Sequence, residues 1–155
     1  MNNLLAHRQN SASGQEMATT LAIASCDEFS GSLILGYGGS ITFSDDKKQR
    51  LEVDGLIVST SIVQLNSVKH SPKVEDVESL LMDKTLLEHI IAHPSSFTTS
   101  PEGVLKAMEG ITQVVPILSG YDFKPAVIAA CQARGVRSIR PNGKDYSFIS
   151  RGLVV

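Results

Sequence analysis

The chain has 155 residues, 42% of them hydrophobic and 19% charged, with a formal net charge of −2 and no tryptophan. That size and composition fit one ordinary globular domain or two small lobes, and exclude a fibrous or wholly disordered chain. A pI near 6.1 excludes a protein that is basic all over, and no apolar run is long enough to span a membrane.

Residues 1–16 are polar, with Leu4 and Leu5 as their main apolar anchors, and read as a flexible arm. The stretch that follows holds Ile23-Ala24-Ser25-Cys26, similar to the cleavage box of bacterial lipoproteins. Its apolar part begins only at Met17, directly after Glu16, so a strand in a cytoplasmic protein is expected instead. Cys26 and Cys131 both lie in apolar contexts and read as small buried hydrophobes of a reducing compartment.

From 17 to 70 the pattern is that of short strands. Ser32–Tyr37 is a continuous apolar run, Gly38-Gly39 predicts a turn, and Ser40–Phe43 returns as a hairpin partner. Gly36-Tyr37-Gly38-Gly39 is not a dinucleotide loop, because Ile41 stands where the third glycine belongs. Gln49–Val53 alternates through Leu51 and Val53. Leu56–Val58, Ile62, Val63 and Leu65 complete an antiparallel meander of four or five strands.

Pro72 and the polar residues 69–73 interrupt this pattern and predict a boundary to a helical lobe over 71–155. Val74, Val77 and Leu81 mark one helical face; Leu86, Leu87, Ile90 and Ile91 mark a rotated one. Lys84 falls inside the extrapolated apolar stripe, which predicts two short helices, the second capped by Asp83. Ser100-Pro101-Glu102 predicts a further helix start, with Val104, Met108, Ile111 and Val115 along one face. Residues 116–118 read as a short strand or extended link. The last helix has Pro125 in its first turn and Gly135 at its left-handed end. Arg140-Pro141-Asn142-Gly143 is a turn joining strands 136–140 and 145–149. The fold class is therefore α+β: an N-terminal antiparallel meander, three or four helices and a C-terminal β-hairpin.

Charge is unevenly spread. From Phe123 to Val155 six bases face one acid, Asp145, giving +5, which leaves −7 for the preceding residues. Such asymmetry suggests that the basic segment meets something anionic. The element order of the last 80 or so residues looks like a winged-helix DNA-binding module. The resemblance implies Lys124–Arg134 as the reading helix and Arg140–Lys144 as the wing. Residues 126–131 are all apolar, whereas a reading helix needs polar outward side chains; a buried helix explains them more simply. Tyr146 and Phe148 share a strand face beside Arg137 and Ile139, an arrangement that suits inward packing as well as base stacking.

No catalytic constellation accompanies these features. There is no Gly-x-Ser-x-Gly elbow, and Thr19-Thr20 with Leu118–Asp122 resembles the N-terminal threonine hydrolases only in outline. His89 and His93 have the four-residue spacing of two imidazoles on one metal. Ile90 occupies the place of a zinc protease's glutamate, and no third ligand is near in sequence, so neither metal nor cofactor is assigned. The expectation is a non-enzymatic accessory protein that binds nucleic acid, DNA above all, through Lys124, Arg134, Arg137, Arg140, Lys144 and Arg151. The alternative is an adaptor or regulatory subunit whose partner is an acidic protein surface or a second copy of the chain, with no role for a membrane.

Overall fold

A computed structural model describes residues 33–35, 41–142 and 145–150. The expected arm over 1–16, the strand ending at Cys26, and both Lys144 and Arg151 lie outside these residues. The protein is mixed α+β, with a β-rich N-terminal part. Its strands are β1 (Leu33–Leu35), β2 (Ile41–Ser44), β3 (Arg50–Val53), β4 (Gly55–Val58), β5 (Ile62–Val68), β6 (Thr98–Ser100), β7 (Gln113–Ser119), β8 (Arg137–Asn142) and β9 (Asp145–Ser150). Its helices are α1 (Val74–Ala92), α2 (Val104–Ala107) and α3 (Pro125–Arg134), with a 3₁₀ turn at Pro94–Ser96.

Six strands form one sheet in the order β1-β4-β5-β7-β8-β9, and β3-β2-β6 form a second. The large sheet is antiparallel at its edges, but β5–β7 and β7–β8 are parallel. Parallel neighbours need crossovers: α1 and the 93–112 segment supply the first, α3 the second. The basic hairpin therefore does not stand apart as a wing. β8 continues the sheet that holds β5, and residues 69–73, the expected boundary, connect β5 of that sheet to α1.

Pairing explains two further corrections. β1 does not form a hairpin with β2; it pairs with β4 through Leu33↔Val58, Ile34↔Ile57 and Leu35↔Leu56, apolar against apolar throughout. The alternating strand β2 instead meets the alternating β3, setting Ile41 by Val53 and Phe43 by Leu51, all four buried. Within β7, Pro116 lacks a ladder donor, and it stands just before the pairing with β8 begins at Ile117.

The predicted pair of helices is one, α1. Its buried positions are Val77, Leu80, Leu87 and Ile90, a three-and-seven spacing that keeps a single stripe on one face. Lys84 does lie in that stripe. It is accommodated because its stem lies down while Nζ reaches Glu88 Oε2 at 3.0 Å. The helix expected after Ser100 shrinks to the four residues of α2. Gly103 before it and Gly110 after it both have φ +87°, so the chain turns instead of continuing. α3 matches its prediction: Pro125 opens it and Gly135 closes it at φ 70°.

One core joins both sheets. Phe43, Leu51 and Val53 of the small sheet cluster with Leu56, Val63, Leu65 and Leu118 of the large one, and with Leu80, Leu87, Ile90 and Val127 of the helices. α1 and α3 pack beside each other over this face. The opposite face of the large sheet carries Ile57, Gln64, Asn66, Ile117, Ser119 and Ile139, all buried as well.

Candidate functional site

An apolar concavity arises where α1 hands over to α2. A 3₁₀ turn at Pro94–Ser96 follows α1, and the short α2 ends at Ala107, with Gly110 turning the chain beyond it. Between them lies a cleft of about 380 Å³. Met108 and Ile111 are buried at its base, Ile91 and Leu105 are half-buried in its walls, and Pro94, Lys106, Glu109 and Gly110 form an exposed rim. The volume lies within the range of small-ligand and side-chain pockets, and the chemistry is apolar with one charge of each sign at the edge. The sequence carried a trace of it. Met108 and Ile111 were read as one helical face, and the break at Gly110 converts that face into a concavity.

A second candidate lies at the carboxyl ends of the parallel strands, where open α/β sheets commonly bind ligands. His70 follows β5 and Tyr121 follows β7, with ring centroids 5.4 Å apart. The His70 carbonyl accepts from both Tyr121 N and Asp122 N at 3.1 Å. Below them Ser119 Oγ donates to Asn66 Oδ1 at 2.5 Å, fully buried. These bonds tie the two strand ends together. Both crossover helices cover the same sheet face, so no crevice opens between diverging helices here, unlike a doubly wound sheet.

Among the described residues, the expected cations Lys124, Arg134, Arg137 and Arg140 do not share one face. Arg134 Nη1 binds Glu78 Oε1 of α1, and Lys124 lies 3.8 Å from Asp122. Arg137 shares the sheet face of Ile117 and Ile139 and is half-buried; burial lowers its guanidinium from the ordinary value. Arg140 is exposed further along the same strand, on the opposite parity. Lys124 and Arg134 thus meet carboxylates of the chain itself, and Arg137 and Arg140 lie on opposite faces of the sheet. Cys131 is a buried free thiol pushed up to about 11 by desolvation, as expected of a packing residue.

One carboxylate is unusual. Burial first, then the neighbouring Asp54, raise the Asp83 carboxyl above its ordinary value, while Lys69 opposes them. The unfolded chain therefore gives up this proton at lower pH than the folded one. Stability falls as pH rises from the ordinary carboxylate range through the raised value, and the penalty persists at neutral pH. Asp83→Asn is expected to melt higher than the wild type at pH 7, with the difference closing below about pH 4. Melting temperatures at the two pH values check this, and a variant that is less stable at neutral pH contradicts it.

Among the described residues no group of three metal-ligating side chains occurs, and no helix is long and apolar enough to cross a membrane. No protein-family model, curated protein or solved structure matches the chain.

Proposed function

We propose that the protein is a non-enzymatic adaptor that receives an apolar anchor of a protein partner in the cleft between α1 and α2. The observation that carries this reading is the cleft itself. An apolar floor of Met108 and Ile111, half-buried walls, and a rim bearing Lys106 and Glu109 reproduce the anatomy of an interface hot spot: a desolvated centre with polar edges. An amphipathic helix presenting neighbouring apolar side chains suits such a groove. Selection of displayed helical peptides against the whole chain tests it. Enriched peptides should carry paired apolar anchors and lose at least about tenfold in affinity for Leu105→Glu, as a buried charge at a hot spot demands. Equal binding to both proteins contradicts the reading.

A polyanion partner is the second reading. It draws support from the +5 charge of residues 123–155 and from the exposed Arg140. The exposed ion pairs of Arg134 with Glu78 and Lys124 with Asp122 weaken it modestly, because each carboxylate offsets part of the positive field that a phosphate would meet there.

A further inference from the structure

We propose that His89 and His93 form a two-histidine chelate for a divalent transition-metal ion, with water completing its coordination. The residues sit four apart, His89 in the last turn of α1 and His93 at its C-cap, both exposed, with ring centroids 4.5 Å apart. That separation allows one ion to reach a nitrogen of each ring.

Geometry adds what spacing alone lacks. His93 Nδ1 lies 3.1 Å from the backbone carbonyl oxygen of His89. A carbonyl only accepts, so Nδ1 carries the hydrogen and the lone pair is on Nε2, at the far side of the ring. This is the arrangement by which metal-binding proteins fix the tautomer and direction of an imidazole ligand. The other ring is held too: buried Phe97 meets His89 edge-on, with centroids 5.9 Å apart at 85°. Beneath both, Leu87 and Ile90 anchor the turn in the core, and His93 N closes it on the carbonyls of His89 and Ile90. The ligand-bearing turn is therefore ordered before any ion arrives.

Two neutral imidazoles suit borderline ions, with affinity rising toward Ni²⁺ and Cu²⁺ along the divalent series. Ni²⁺ is the cleaner probe because it does not oxidise thiols. Calorimetric titration of the whole chain with Ni²⁺ is expected to show one saturable site, accompanied by a rise in melting temperature. His89→Ala and His93→Ala should each weaken binding by at least about tenfold, the scale on which even supporting contacts act. Both should abolish the rise in melting temperature while lowering the metal-free melt only slightly, since both side chains are exposed. His70→Ala should bind like the wild type. The proposal is overturned if the wild type shows no saturable binding, or if binding survives undiminished in both helix variants.

Discussion

Gly120→Ala is expected to destabilise the protein by about 3 kcal/mol, at the upper end of what overpacking costs. A Cβ built on Gly120 meets the Lys69 carbonyl oxygen at 2.6 Å and Pro72 Cγ and Cδ at 2.6 and 2.8 Å. None of these can swing away. Lys69 is tied by its own N–H to the Ser119 carbonyl at 2.9 Å, and Gly120 N bonds the Ile139 carbonyl at 3.1 Å. Pro72 is a buried ring at the approach to α1. Relief has to come from parting the ends of β5 and β7, the two strands that join the N- and C-terminal parts of the chain. Urea denaturation measures the cost. A midpoint equal to that of the wild type refutes the close approach.

Phe43→Ala should cost about 3–5 kcal/mol, the range for deleting a buried aromatic side chain. Phe43 is fully buried in β2, opposite Leu51 of β3 and Thr99 of β6, within the cluster that includes Leu87 and Ile90 of α1. Because that cluster spans both sheets, the loss should appear as an earlier midpoint of a single transition with unchanged steepness. Far-ultraviolet circular dichroism and tyrosine fluorescence should coincide. Two separated transitions, with the six-stranded sheet melting last, would make the small sheet an independent unit.

Local structure was written into the sequence where a turn residue or strict alternation determined it. β2, β3 and α3 follow from Ile41/Phe43, Leu51/Val53 and the Pro125–Gly135 pair, and a C-terminal hairpin forms as expected. Arg140, Pro141 and Asn142, expected in its turn, instead belong to β8 and pair with Ser147, Tyr146 and Asp145 of β9. What local pattern could not express was pairing between distant segments. β7 holds a proline and reads only as a short strand or extended link over 116–118, yet it becomes the central parallel strand because β5 offers seven matched positions, Ile62↔Gln113 to Val68↔Ser119. Once β7 is central, β8 must follow α3 into the same sheet, and the wing vanishes. Lys84 misled for a similar reason: its charge broke the apparent stripe, although a lysine stem can lie on apolar surface while its head meets Glu88.

The candidate sites show the same division. The basic residues were legible as a count, but their partners, Glu78 and Asp122, lie on other segments or face back along the chain, so net charge overstated the available field. The cleft was legible only in parts, because it depends on the short α2 ending at Ala107 and on the turn at Gly110. The histidine spacing was plain, whereas the hydrogen bond that sets the His93 tautomer required the helix end in three dimensions.

Fluorescence anisotropy of labelled random duplex DNA decides most directly whether recognition belongs to the cleft or to the cations. With Arg134 and Lys124 engaged by carboxylates and Arg137 and Arg140 on opposite faces, no saturation is expected up to about 100 μM protein at about 50 mM salt. Saturable binding that weakens steeply by about 200 mM salt, and disappears when Arg137, Arg140 and Lys144 are replaced together by alanine, would contradict the adaptor account.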